Sequence, residues 1–293
     1  MNDKYHAKVM ELIQQGIIVC PVTQKKLKVV GEFLKSQYEE YALQDHVPVL
    51  IAKKSNIKTY SKSSNRMNME YKKAMQLAKN SWLNQIRSYD YRTRSSKEAE
   101  HALFQNTDNK SICLSIGGGP QRQHPQLLNL NIGNFPNVDI VGDAHLLPFK
   151  SNTVDRIYSN AVFEHLHSPD VACQEMWRVL KKGGRAYVTT PFLQAYHGYS
   201  NHYQNFTLTG HDLLFKKQGF RVISSGPSVG PTMALRFMIA KYLLHFFPKP
   251  LNLVLRALWE PISLIIGPLD LLVRNHPNAH FLASTNYTLI EKI

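Results

Sequence analysis

Two stretches of this 293-residue chain combine residue types and spacings that can do chemistry. In the first, an apolar run ends in Ile116-Gly117-Gly118-Gly119-Pro120, and a second apolar segment leads into Gly142-Asp143-Ala144-His145-Leu146-Leu147-Pro148-Phe149. Glycines let a backbone turn sharply and leave no side chain between it and a ligand. Such a turn, followed one βαβ half-unit later by an acid beside an apolar clamp, describes a nucleoside-cofactor site at the carboxyl ends of parallel strands. Two better-known glycine motifs are excluded. A dinucleotide fingerprint needs a third glycine where Arg122 stands, and no Gly-Lys-Ser/Thr triplet completes a phosphate loop.

The second stretch, 191–207, is dense in polar aromatic and amide side chains. It follows a predicted strand, so it should overhang the cleft where substrates bind. His197 and His202 are candidates to take a proton from an acceptor, with Tyr199, Tyr203 and Asn205 as positioning groups. A purely structural hydrogen-bonded lid is the other reading of the same residues. His165, beside Glu164, is similar in kind and could equally buttress the loop. The spacing of His197 and His202, with no supporting Cys/Asp cluster, predicts no metal site.

These groups need a scaffold of alternating elements. Hydrophobic runs predict strands over 112–116, 127–131, 138–141, 156–159 and 185–190. Pro120 suits the first position of a helix starting there. Ser168-Pro169-Asp170 predicts the entry of a helix running to Leu180, and Lys181-Lys182-Gly183-Gly184 its exit. Such alternation argues for an open α/β sheet.

From Ser111 to Val222 the ordered motifs resemble the type-11 group of class I S-adenosylmethionine-dependent methyltransferases. The matching residues are Gly117-Gly118-Gly119, Asp143-Ala144 with Leu147-Pro148-Phe149, Asp155–Asn160, Phe163-Glu164-His165-Leu166 and Trp177–Gly184. The resemblance implies a Rossmann-like, mostly parallel sheet with helices on both faces. It also implies S-adenosylmethionine as cofactor, with Gly117, Gly118 and Gly119 against its methionine part and Asp143 on the adenine amino group beside Ala144. Ser159 and Asn160 would line the floor near the sulfonium. Ser115 and Asn131 stand where the family commonly has acids; Asn131 can hydrogen-bond a ribose hydroxyl without charge assistance. Members carry a loop similar to 191–207, with Ser200 here replacing a usual proline. The function implied is methyl transfer to oxygen or nitrogen of a small-molecule, lipid-linked or saccharide acceptor. A tRNA-like acceptor and a non-catalytic binding protein are the alternatives; nucleic acid is disfavoured by the lack of an Asn-Pro-Pro-Tyr type motif.

The remainder reads as appendages: a small β-rich module over 1–60, a helical linker over 61–110 and an apolar helical extension over 227–293, flanking the cofactor-binding domain at 111–226. The Cys20-Pro21-Val22-Thr23 and Tyr41–Leu50 segments resemble a zinc-ribbon module, but Thr23 replaces a cysteine and a later pair is absent, so four-ligand zinc binding is not expected. Met67, Tyr71, Met75, Ala78 and Trp82 lie near helical spacing. Cys20, Cys113 and Cys173 are far apart and form no disulfide framework, which suits a reducing compartment. Met1–Tyr5 carries an acid and no signal-like apolar run, so a cytoplasmic location is expected.

The formal net charge of +14 divides as +8 over 1–110, +3 over 111–226 and +3 over 227–293. A basic appendage fits a solvated face, nucleic acid, an acidic glycan or an anionic membrane. Residues 232–273 are apolar but broken by Arg236, Lys241, Arg256, Glu260, Pro261, Pro268 and Asp270. Those interruptions argue against a bilayer span and for an internal cap, an anionic membrane surface or a homodimer contact.

Overall fold

A computed structural model describes residues 3–52, 91–197 and 201–293. The expected helical stripe from Met67 to Trp82 lies outside the described residues, as does Tyr199. The chain opens with helix α1 (Asp3–Gln14), then strands β1 (Lys28–Val30), β2 (Phe33–Lys35), β3 (Glu40–Gln44) and β4 (Val47–Leu50). Helix α2 (Arg94–Leu103) leads into β5 (Cys113–Ile116), β6 (Leu127–Asn131), β7 (Ile140–Gly142) and β8 (Val154–Asn160). Helix α3 (Pro169–Val179), β9 (Leu180–Pro191), helix α4 (Leu208–Lys217) and β10 (Phe220–Val229) follow. Helices α5 (Pro231–His245), α6 (Leu251–Ile266) and α7 (Asp270–Val273) precede the last strand, β11 (Thr285–Lys292).

The strands form one sheet in the order β1-β2-β3-β4-β7-β6-β5-β8-β9-β11-β10. β4 through β9 pair in parallel, and β11 runs antiparallel between β9 and β10. Successive side chains on a strand point to opposite faces, and the core divides accordingly. Leu114, Leu128, Ile157 and Val188 pack with Val9, Met176 and Phe215 from α1, α3 and α4. Their neighbours Cys113, Leu127, Tyr158 and Tyr187 pack with Ala99 and Leu103 of α2 on the other face. Helices therefore cover both faces, as the resemblance implies. Each fully buried Leu, Ile or Val contributes roughly 1.5–3 kcal/mol.

Chain order reverses between β5 and β8, because β6 and β7 extend the sheet one way and β9 the other. That switch point opens a crevice outside the strand carboxyl ends, where open α/β sheets bind ligands.

Several local expectations are corrected. No helix starts at Pro120: Gly117–Gln126 turns directly into β6. Only ten residues separate β5 from β6, and Pro125 disfavours helical backbone at His124. The strand expected over 138–141 spans Ile140–Gly142. Lys181–Gly184 belongs to β9 rather than to a helix exit, and Gly183, at φ 74°, supplies the left-handed backbone there.

At the amino end, α1 is a helix that short apolar runs did not signal. Tyr5, Val9, Leu12 and Ile13 form its buried face, and Tyr5 Oη donates to Pro125 O at 2.6 Å. At the carboxyl end, Thr285–Lys292 returns to the sheet as β11 instead of continuing the helical extension.

Candidate active site

Five strand ends converge at the switch point. Gly117–Gly119 follow β5, Asn131 ends β6, Asp143 follows β7, Ser159 and Asn160 end β8, and 192–206 follow β9. A side chain on Gly117 (φ 71°) would land on Val162, and one on Gly118 would strike Asn129 Oδ1 and Ser115 Oγ. Gly119 (φ 62°) instead faces open space among the described residues, with none of their atoms, chain neighbours aside, within 4 Å of where a Cβ would stand. Side-chain bonds replace the expected helix in holding this turn. Asn129 Nδ2 donates to Gly119 O at 2.9 Å and to Asn137 O at 3.0 Å, while Asn137 Nδ2 donates to Pro120 O at 3.0 Å. Arg122, which breaks the dinucleotide fingerprint, forms a two-pronged pair with Asp139 at 2.7 and 2.8 Å.

Asn131 Oδ1 accepts from Gly133 N at 3.1 Å, tying the turn after β6. Asp143 Oδ1 accepts from His145 N at 2.9 Å and lies 2.8 Å from the same residue's ring Nδ1. The Asp143 loop is clamped from α3. Arg178 donates to Phe149 O and Leu147 O at 2.6 and 2.9 Å, and Glu175 accepts from Leu147 N at 2.7 Å. Ile17–Val19 holds the same loop from the amino-terminal side, through Val19 N to Pro148 O and Lys150 N to Ile17 O. Ala144 is buried beside Asp143.

Asn160 Oδ1 accepts from Thr189 Oγ1. Ser115 Oγ, Asn129 Oδ1 and Ser159 Oγ are buried without hydrogen-bond partners among the described residues. Buried polar atoms left unpaired cost free energy, so three around one glycine turn fit a polar guest that pairs them. These residues suit S-adenosylmethionine. Asp143→Asn keeps an acceptor for His145 N but loses the charge. It is expected to weaken cofactor binding by roughly 10–100-fold, equivalent to ~1.5–3 kcal/mol. Unchanged affinity by calorimetry would place the adenine elsewhere.

The loop after β9 folds against the Phe163–His165 turn that follows β8. His165 Nδ1 lies 2.8 Å from Asn201 O, and His197 Nδ1 lies 3.0 Å from Ala195 O. A carbonyl can only accept, so both rings carry hydrogen on Nδ1, and Nε2 is the nitrogen that can hold a lone pair. Those Nε2 atoms stand 3.8 and 3.9 Å from Glu164 Oε1. Glu164 is wholly buried, neither carboxylate oxygen has a hydrogen-bond partner among the described residues, and burial pushes its carboxyl up to about 8. Burial also lowers the His165 imidazole below its usual value, which favours the neutral ring.

His202 is placed differently. Its Nδ1 accepts from His197 N at 3.2 Å, so its Nε2 donates to Asn205 Oδ1 at 2.7 Å, and both ring nitrogens are engaged. Asn205 Nδ2 in turn donates to Gln194 O at 2.9 Å, and Tyr203 Oη accepts from Asn201 Nδ2 at 2.8 Å. His202 and Asn205 thus clip the loop together.

Glu164, Glu175, Arg178, Asn129 and Asp139 were not among the site residues expected from sequence. Their signal is faint: a Glu-His pair after a strand, and polar residues inside otherwise apolar strands. Glu164, His165 and His197 also bring three potential ligand atoms within 4.8 Å of one another. Ligands about 2.0–2.1 Å from a tetrahedral zinc ion sit only about 3.3 Å apart. The wider separations here suit proton exchange through a guest hydroxyl or water.

A family description, "Methyltransferase domain", matches residues 121–188. The biotin biosynthesis bifunctional protein BioHC of Cellvibrio japonicus is 39% identical over 83 residues, 27% of this chain and 15% of that protein. The ubiquinone/menaquinone biosynthesis C-methyltransferase UbiE of Escherichia coli is 39% identical over 80 residues, 25% of this chain and 32% of that protein. The chain thus spans about a third or less of the curated relatives it matches. Among solved structures, phosphoethanolamine N-methyltransferase 2 of Haemonchus contortus, in complex with S-adenosyl-L-methionine, superposes with a TM-score of 0.42 at 17% identity, over 68% of this chain and 52% of that one. The matched segment carries the Asp143 loop, the Glu164-His165 turn and the α3 clamp. The likeness to known methyltransferases thus lies in residues 121–188, which match a methyltransferase-domain family.

Proposed function

We propose that the chain transfers a methyl group to an oxygen or nitrogen of a small-molecule, lipid-linked or saccharide acceptor. S-adenosylmethionine, when bound, supplies a methyl group already activated by positive sulfur. The protein's own task is to align the acceptor and accept its proton. Gly117–Gly119, Ser115, Asn131, Asp143, Ala144, Ser159 and Asn160 would hold the cofactor. The carrying observation is that His197 Nε2 keeps a lone pair, with the wholly buried Glu164 carboxyl 3.9 Å away. His197 takes the acceptor's proton on Nε2, and Glu164 Oε1, 3.9 Å away, faces the resulting imidazolium N–H and stabilises its charge. His165, presenting its Nε2 to the same carboxyl, positions the acceptor with Tyr203, while His202 and Asn205 hold His197 in place.

The relative from Escherichia coli is named for carbon methylation, so the atom modified is read from products. The first test is calorimetry with S-adenosylmethionine and its demethylated product, followed by a methyl-transfer screen with hydroxyl, amine and phenolic acceptors. Absence of binding to either nucleoside would defeat the enzymatic reading and leave a binding protein. Transfer to tRNA alone would overturn the small-acceptor reading. Asn131→Asp preserves the bond to Gly133 N while restoring a charge toward ribose. It is expected to tighten cofactor binding several-fold, since charged hydrogen bonds are roughly twice as strong as neutral ones. Looser binding would mean that Asn131 faces an anion.

A further inference from the structure

Helices α5 and α6 are inside out. Two contacts fix them as an antiparallel hairpin, Arg236 Nε to Ser263 Oγ and Asn252 Nδ2 to Leu244 O, and Thr232 N donates to Asp270 Oδ1 at the start of α7. The buried side chains of α6 are both polar, Asn252 and Ser263, and α5 buries only Ala234. The apolar residues point away. Phe246 at the hairpin tip is 74% exposed, Ile265 76% and Leu272 77%, with Leu235, Met238 and Leu258 also exposed. Of the most apolar part of Leu251–Val273 only 17% is buried. A helix closing its own domain would show the opposite orientation. A continuous exposed apolar face of this extent marks an interaction site.

We propose that this hairpin docks in the interfacial zone of an anionic lipid bilayer, lying along it rather than crossing. The helical stretch Leu251–Val273 is long enough to cross, but Arg256, Glu260, Pro261, Pro268 and Asp270 interrupt it, and placing those charges in hydrocarbon is costly. Charge selects lipid over a second copy of this chain. Residues 231–274 carry Arg236, Lys241, Lys249, Arg256 and Arg274 against Glu260 and Asp270; with Arg236 held on Ser263 and Arg274 beside the buried Asp270, Lys241, Lys249 and Arg256 remain against Glu260. A second copy would bring the same positive excess to the contact, whereas anionic headgroups neutralise it. The hairpin also adjoins the acceptor side of the site, with the Phe237 ring of α5 edge-on to His197 at 6.3 Å. Resting on the proposed function, docking there would bring a lipid-linked acceptor to His197 without leaving the membrane surface.

The test is flotation of the full chain with vesicles of phosphatidylcholine alone and of phosphatidylcholine mixed with phosphatidylglycerol, beside light scattering of the free protein. Binding is expected to the mixed vesicles, weakening with salt. It should be lost in Ile265→Asp/Leu272→Asp, whose changes lie on the exposed face and leave nucleoside binding unchanged by calorimetry. Lys241→Gln/Lys249→Gln should weaken it by roughly 5-fold per cation removed. Equal binding to both vesicle types would overturn the anionic preference. A chain that ignores both, or a dimer dispersed by Ile265→Asp, would overturn docking itself. The wild-type arms need no variant to fold, and nucleoside calorimetry tests the proposed function separately.

Discussion

Gly119→Val is expected to abolish S-adenosylmethionine binding while leaving the chain folded. Among the described residues no atom lies within 4 Å of a Cβ built at Gly119, chain neighbours aside, so the isopropyl group displaces none of them. It would instead fill the space where the turn opens at the end of β5. The backbone cost of a side chain at φ 62° is roughly 1–2 kcal/mol, a fall in melting temperature rather than loss of fold. The neighbouring glycines behave differently. A Cβ at Gly117 lands on the Val162 side chain, and one at Gly118 lies 2.6 Å from Ser115 Oγ and strikes Asn129 Oδ1. Alanine at either position is therefore expected to disturb packing between strands as well as binding. Calorimetry and thermal unfolding of the three variants separate the cases. Gly119→Val should bind at least ~100-fold more weakly, about 2.7 kcal/mol, with unfolding still cooperative. Full affinity in that variant would show that the open space beside Gly119 faces solvent, and the cofactor site would have to move.

The parts legible in sequence are those whose signals are local. Leu127–Asn131 and Pro169–Val179 are almost the segments expected, because an apolar run marks a buried strand and a Ser-Pro-Asp entry marks a helix start. The helix at Pro120 failed for a reason that proline spacing alone does not express. Arg122, Asn129 and Asn137 bind the turn from residues up to 17 positions away, and those bonds replace the helix. The last strand was hidden by the apolar helices before it, although Thr285, Tyr287, Leu289 and Ile290 have the β-branched and aromatic bias of a strand. His202 shows the limit most plainly. Its residue type allowed a base, and only the placement of Asn205 and the His197 backbone reveals that both ring nitrogens are engaged.

Glu164→Gln is expected to change the pH dependence of stability in a defined direction. The wild-type carboxyl is wholly buried, without a hydrogen-bond partner on either oxygen among the described residues, and burial pushes it from an ordinary 4.5 up to about 8. Below pH ~4.5 folded and unfolded chains both hold this proton, and its stabilising contribution is fully present. As pH rises toward ~8 the unfolded chain ionises first while the folded chain keeps the proton, so stability falls by up to about 1.4 kcal/mol per pH unit. Above ~8 both states are ionised and the contribution is gone. Glutamine has the same shape and no proton to lose, so its stability curve lacks this slope. Urea unfolding of the two proteins from about pH 5 to about pH 8 should therefore diverge, with the variant gaining relative stability as pH rises. Parallel curves would mean that Glu164 is ionised in the folded chain and is compensated by a cation or by water. Once an acceptor is in hand, the variant supplies a second readout. The limb of the rate profile near pH 8 should vanish with the carboxyl, whereas a purely structural glutamate would lower the rate without moving its pH dependence.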